Sequence, residues 1–210
     1  MTFLYHITHM QNLASIVGAG GLWCDALLAG KVGAGVAGMG IAHKHIKARR
    51  AHREVVKGAG GTLADYVPFY FAPRSPMLYA VFKGAVAGYS GGQDQVVHLI
   101  SSVDVAVALG AAWFFTDGHA EIVFSQQFGT LSDLSRVDWD IMNERFWNDT
   151  IDDGDRKRRR KAEFLVHRFV PWTAVQAIGV RSDAAARSVQ ASIAHAVHRP
   201  PVVVRSDWYY

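Results

Sequence analysis

"GAGVAGMGIAHKHIKARR", residues Gly33 to Arg50, joins a glycine pattern to a cluster of cations. Gly33-Ala34-Gly35-Val36-Ala37-Gly38 fits G-x-G-x-x-G, and Glu54 stands about where the acidic residue of a dinucleotide-binding βαβ unit belongs. That fingerprint needs a strand before its first glycine and a helix opened by its last. Here Leu27-Leu28-Ala29-Gly30-Lys31-Val32 precedes it without a strand pattern, and Met39-Gly40 delays any helix. The match also follows a complete strand and helix, in a chain with 20 glycines. The letters therefore do not specify a doubly wound sheet. What glycine does supply is backbone freedom. A glycine-rich loop running into Lys47, Arg49, Arg50 and Arg53 reads as a lid over an anionic ligand or as an ordinary loop.

On the N-terminal side, Phe3–Ile7 reads as a strand, with Thr8 as a cap and a short helix over Met10–Val17. On the C-terminal side the sequence turns helical from Ile41 to Val56 and stops at Gly58–Gly61. "DYVPFYFAPRSPMLYAVF" (Asp65–Phe82) reads as a strand, a turn and a helix opened by Ser75-Pro76, with proline at the first helical position. Further strands are expected at Gln95–Ser101, Trp113–Thr116, Glu163–Val170, Ala177–Arg181 and Val202–Arg205. Helices are expected at Val103–Leu109, Asp138–Asn148 and Asp183–Val197, while Asp117–Ser132 is poorly periodic. Short strands broken by helices of mixed length, without regular βαβ spacing, predict an α+β fold. No repeat or composition break marks a boundary, so residues 1–210 read as one domain.

The composition fits this reading. A chain of 210 residues, half hydrophobic and 19% charged, is long and apolar enough for one well-buried core. No apolar run approaches the roughly 20 residues a membrane helix needs, and MTFLYHITHM shows no secretory pattern. The single cysteine, Cys24, gives no internal disulfide and no multi-cysteine metal site. A cytoplasmic protein without a membrane association is expected. The net charge of +4 is unevenly spread, with Arg156 to Lys161 (RKRRRK) an unbroken run of cations. Such a run reads as a solvated helix face, or with the first basic cluster as a contact for a polyanion.

Few side chains carry chemistry on their own. His6 sits in an apolar strand, where a histidine is either a satisfied core residue or a ligand-binding one, and His9 follows closely. His43 and His45 make H-x-H with no carboxylate or cysteine at metal spacing, so no metal is expected. There is no G-x-S-x-G, and Cys24 lacks an evident nucleophile-activating partner. Glu163 follows six cations and opens the strand Phe164-Leu165-Val166. It reads equally as a local salt bridge or as a catalytic carboxylate held ionised by positive surroundings. Asp117 and His119 fall in the irregular stretch, where active-site loops concentrate.

Together these segments resemble one family, DarT, the DNA-targeting ADP-ribosyltransferase toxins that modify bases in single-stranded DNA. The resemblance is carried by Tyr5-His6-Ile7-Thr8-His9 with Asn12, then Ile41-Ala42, His45-Ile46 and Arg49-Arg50. It continues through Asp65–Phe71, Pro73–Tyr79, Thr116-Asp117 with His119, Glu163–Val166, Pro171-Trp172 and Asp207–Tyr210. It runs from end to end, and the block Tyr66–Tyr79 is its most specific part.

The resemblance implies an ADP-ribosyltransferase fold, two facing β-sheets around a cleft for NAD with flanking helices. It implies NAD as a substrate, with His6, Ile7, Thr8, Asn12, Ser15, Trp23 and Arg50 on the NAD side. Arg50 and Glu163 take the catalytic positions, although an arginine is a poor base because its pKa exceeds about 12. Residues from about 32 to 50 correspond to an NAD-covering element, and about 115 to 163 to a substrate-reading loop. Arg49, Arg74, Tyr79 and His119 are candidate DNA contacts, joined by Arg156–Lys161 and by Trp147. The spacing of Trp147 with Met142 and Trp139 favours the core for it instead. The implied reaction is ADP-ribosylation of thymine N3 in single-stranded DNA, as a toxin countered by a macrodomain antitoxin. Guanine as the target, a protein-modifying transferase, and a nucleic-acid-binding relative without catalysis are the alternatives.

Overall fold

The structure, a computed structural model, describes the backbone of residues 1–31, 41 and 44–210. Residues 32–40 and 42–43, which hold most of the glycine-rich stretch and His43, lie outside the described residues. In chain order the strands are β1 Phe3–His9, β2 Gly21–Trp23, β3 Tyr66–Tyr70, β4 Val96–Ser102 and β5 Trp113–His119. They continue with β6 Gln127–Phe128, β7 Ala162–His167, β8 Phe169–Pro171, β9 Ala177–Val180 and β10 Val202–Val204. The helices are α1 Leu13–Gly18, α2 Asp25–Lys31, α3 Lys44–Arg50, α4 Pro76–Phe82, α5 Val103–Ala108, α6 Trp139–Asn143, α7 Arg156–Arg159 and α8 Asp183–Ser192.

Eight of the strands pair in the order β10-β9-β4-β1-β3-β7-β5-β6, and β2 pairs with β8 beside them. β1 is antiparallel to β4 along its whole length, from Phe3 opposite Ser102 to His9 opposite Val96. β3 is likewise paired end to end with β7, from Tyr66 opposite His167 to Tyr70 opposite Glu163. Between β1 and β3, however, one residue pair is in register, Tyr5 opposite Tyr70. The two facing sheets expected from the sequence are thus two halves of one hydrogen-bonded sheet that part beyond this pair.

Pro68 explains the parting. In a strand the N–H and C=O of one residue point to the same neighbour, and proline has no N–H to give. The Pro68 carbonyl points to β1 and accepts a hydrogen bond from His6 Nδ1 at 2.9 Å. On that side β3 is an edge, and a side chain takes the place of the ladder. The opening lies where β1 and β3 would otherwise close.

Local chemistry sets most of the elements. Ser75 caps α4 by accepting from the Leu78 amide at 3.2 Å, with Pro76 at the first helical position, as its sequence predicts. Ser102 and Ser182 cap α5 and α8 in the same way. The expected strand Glu163–Val170 is instead two strands, because Arg168 takes a left-handed φ of 64°. That turn hands the chain from β7 to β8 and the small sheet. The helix expected at 138–148 is only α6, since the chain extends at Glu144 (φ −69°, ψ 136°). Trp147 is buried in the main core, as its spacing predicts.

The core between the sheet and its helices is rich in aromatic rings. Phe115 and Phe164 are fully buried, and Trp113 stacks on Phe164 at 5.3 Å. Each such buried ring contributes roughly 1.5–3 kcal/mol.

The basic run is largely built into the fold and does not form a free cationic face. Arg158 pairs with Asp155 at 2.7 Å and Asp117 at 3.1 Å, and Arg159 pairs with Asp138 and Asp153. Arg160 is buried and donates to the carbonyls of Ile141, Met142 and Arg74. These clamps tie α7 to the segment that carries α6. No helix among the described residues is long and apolar enough to cross a membrane.

Candidate active site

The parting of β1 from β3 opens a cleft of about 250 Å3, walled by β1, α1, β2, α2, α3 and the facing ends of β3, β5 and β7. Of the residues expected on the NAD side, His6, Ile7, Thr8, Asn12, Ser15, Trp23 and Arg50 all line it. Glu163 and His119 line it too. The cleft brings together positions up to 157 residues apart in sequence (163 − 6), which no local pattern could do.

Glu163 and Arg50 form the base of the site. Glu163 is the second residue of β7, directly opposite Tyr70, and only 3% exposed. Arg50 ends α3 and is 7% exposed. Arg50 Nη1 donates to Glu163 Oε2 at 2.8 Å, and the Ala120 amide donates to Oε1 at 3.3 Å. The Glu163 amide is held by Thr116 Oγ1 at 3.1 Å, so both ends of the residue are fixed. The cation beside Glu163 therefore comes from α3; the six cations preceding it in sequence are not its partner. Burial alone pulls the Arg50 guanidinium down, but the charge and hydrogen bond of Glu163 outweigh it and hold it above the usual arginine value. Arg50 stays a cation. Its Nη2 is buried with no hydrogen-bond partner among the described residues. A buried guanidinium N–H left open in this way fits an oxygen-rich ligand such as NAD.

His6 has a fixed tautomer. The Pro68 carbonyl can only accept, so Nδ1 carries the proton and Nε2 is left as the acceptor. Burial lowers its pKa, which the Pro68 carbonyl opposes in part, so the ring is neutral at pH 7. A neutral Nε2 suits the hydroxyl of a ribose. Thr8 Oγ1 accepts from Asn12 Nδ2 at 3.0 Å, and Ser15 Oγ donates to the Asn12 carbonyl at 2.9 Å. These two contacts join β1 to α1 along one wall. Trp23 is braced by Phe169, with ring centroids 4.4 Å apart, and its Nε1 donates to the Ala19 carbonyl.

The candidate DNA contacts divide. His119 ends β5, faces the cleft and is neutral, its pKa lowered first by burial. Asp117 and His119, expected in an irregular loop, are strand residues, with a register shift between Phe115 and His119. Asp117 is engaged by Arg158 and by the Gln126 amide. Arg49 is exposed and pairs with Glu121 at the rim. Arg74 and Tyr79 do not line the cleft. Arg74 lies 4.3 Å from the Tyr210 ring centre, and Tyr79 packs between Trp147 and Tyr210.

The sequence assigns several cleft residues no individual role. Tyr70 and Pro68 line it from β3, and alternation within that strand places both on one face. Burial next to Glu163 raises the Tyr70 pKa, so its hydroxyl keeps its proton. Lys47 pairs with Asp25 at 2.9 Å, linking α3 to α2 across the mouth.

The sequence profile of the family described as "ssDNA thymidine ADP-ribosyltransferase, DarT" matches residues 5–210. The chain belongs to the DarT family. A relative named "DNA ADP-ribosyl transferase" from Thermus sp. (strain 2.9) is 37% identical over 211 residues, covering 100% of this chain and 96% of that protein. Among solved structures, Thermus sp. 2.9 DarT in complex with ADP-ribosylated ssDNA superposes with a TM-score of 0.90 at 36% identity. That match covers 100% of this chain and 96% of the other. The same Thermus protein in complex with NAD+ gives a TM-score of 0.85 at 34% identity, covering 100% and 98%. The DarT family is one of DNA ADP-ribosyltransferases, and the sheet with flanking helices is its ADP-ribosyltransferase fold.

Proposed function

We propose that this protein transfers ADP-ribose from NAD to thymine N3 in single-stranded DNA, and that it acts as a toxin opposed by a macrodomain antitoxin. The observation that carries the reading is the buried Arg50–Glu163 pair at 2.8 Å, at the base of a cleft that also holds neutral His6. The thymine target, the toxin role and the antitoxin rest on the family description and resemblance.

The chemistry fits these side chains. The bond from ribose C1′ to nicotinamide breaks, and nicotinamide leaves with the electron pair. A carboxylate beside the resulting oxocarbenium-like ribose stabilises its charge, and Glu163 supplies one. The bond that forms runs from thymine N3 to C1′, and the N3 proton must leave. Arg50 is held as a cation and cannot accept that proton, so the acceptor role falls to Glu163, which passes it on to solvent. Arg50 orients Glu163 and offers its open Nη2 to an anionic oxygen. His6 accepts from a ribose hydroxyl, and Trp23 gives a flat wall. His119 stands at the rim towards the DNA.

The test is incubation with NAD and a pool of randomised oligonucleotides, followed by mass spectrometry of the products. ADP-ribose on thymine is expected, and Glu163→Ala should abolish it. Label on guanine alone, on protein alone, or equal labelling by wild type and Glu163→Ala would overturn the reading.

A further inference from the structure

Five of the six cations in the run 156–161 have partners within the fold. Arg156 holds the carbonyls of Phe146 and Asn148, Lys157 pairs with Asp149, and Arg158 to Arg160 are clamped as described. Lys161 breaks the pattern. Among the described residues no hydrogen bond or ion pair holds its ammonium. Yet it is only partly exposed, at the turn that leads from α7 into β7. It is close enough to feel the charges of Glu121 and Glu163, and His119 in turn feels Lys161.

The register explains the grouping. His119 lies opposite Ala162, so the end of β5 and the start of β7 gather Lys161, His119 and Glu163 around one spot. His119 and Glu163 line the cleft whereas Lys161 does not. Lys161 is thus a neighbour of the Glu163 end of the cleft without being part of its lining. Burial of the side chain pulls its pKa below the usual lysine value. The neighbouring carboxylates restore part of that charge preference. Such a group is poised to donate to a ligand oxygen.

We propose that Lys161 donates a hydrogen bond to a ring carbonyl oxygen of the target base, stabilising the charge that reaches this oxygen as the base loses its N–H proton. The inference rests on the thymine reading and deepens it. Thymine N3 lies between two ring carbonyls. When the N3–H bond breaks and the proton passes to Glu163, the electron pair is shared with those oxygens until the N3–C1′ bond forms. A cation at one oxygen makes N3 a better nucleophile at neutral pH. It also favours a base whose reacting nitrogen is flanked by carbonyls.

The experiment compares oligonucleotides carrying thymidine or 5-fluoro-2′-deoxyuridine at the modified position. Fluorine withdraws electron density and acidifies N3–H, so that base depends less on an outside cation. Lys161→Gln should slow transfer to thymidine on the order of a hundredfold, the usual effect of removing one donor to a developing oxyanion. Transfer to the fluorinated base should fall much less, and Lys161→Arg should recover part of the thymidine rate. A melting curve checks that each variant is folded, and Lys161→Arg gives the same comparison if glutamine unfolds the turn. Wild-type rates for Lys161→Gln overturn the inference, as do equal proportional losses on both bases, the pattern of a phosphate contact. If the wild type labels no thymine at all, the proposed function fails and the inference with it.

Discussion

Removing Arg50 tests the site more sharply than removing any other residue, because it leaves a buried carboxylate without its cation. In the pair the two side chains are 9% and 4% exposed and 2.8 Å apart. Breaking such a pair by deleting one partner costs about 3–5 kcal/mol. At about 2–4 °C per kcal/mol for a domain of this size, Arg50→Ala should melt roughly 6–20 °C below wild type at pH 7.5. Glu163→Gln should lose a similar amount there, since it leaves a buried guanidinium that cannot shed its charge. The double change Arg50→Met with Glu163→Leu should recover much of the loss, because a buried pair mainly offsets its own desolvation. Urea melts of the wild type, both single variants and the double variant at pH 7.5 measure how far the two charges depend on each other. A single-variant deficit under about 1 kcal/mol, the range of an exposed ion pair, would refute a buried pair in which each charge needs the other.

Three further outcomes are expected. His98 is fully buried between the Pro73 carbonyl and Tyr209, and burial pushes its pKa down to about 4. Its contribution is therefore present above about pH 6.5 and lost as the pH falls towards 4, up to about 3 kcal/mol. Replacing it with glutamine should flatten that part of the stability–pH curve measured by urea melts. Gly179 has the Trp208 ring where a side chain would go, with Cζ3 2.5 Å from an added Cβ. Gly179→Ala should cost about 1–3 kcal/mol and dislodge the indole, seen as a red shift in tryptophan fluorescence. Arg159→Ala should lower the melting temperature, because α7 loses its ties to Asp138 and Asp153. The salt dependence of DNA binding should stay as in wild type, since a cation neutralised within the fold releases few counterions from DNA.

How much of this was legible beforehand depended on whether the signal was local. Ser75-Pro76 announced α4, and the short mixed elements announced an α+β fold, because capping and periodicity act over a few residues. The family resemblance picked out His6, Arg50 and Glu163 together, and the cleft holds all three. By residue type and spacing alone, His6 is either core or ligand-binding, and Glu163 either a salt-bridge partner or a catalytic carboxylate. Those choices turn on contacts with Pro68 and Arg50, 62 and 113 residues away. The basic run misled for the same reason. Its charge is plain in the letters, but the carboxylates and carbonyls that neutralise it come from β5, α6 and the loop before α7.

The G-x-G-x-x-G at residues 33–38 marks the division. By sequence alone it lacks the strand and helix a dinucleotide turn requires, and this is enough to exclude the doubly wound fold. Fold class, most element positions and the residue types available for chemistry are readable from the letters, because these follow from propensities and short-range spacing. Which cations line the cleft and which carboxylate has a cation beside it emerge from the packing of distant segments. Both depend on where a sheet parts, at the one registered pair Tyr5–Tyr70 beside a proline that cannot complete the ladder. Long-range register is a property of the packed chain, and no window of sequence contains it.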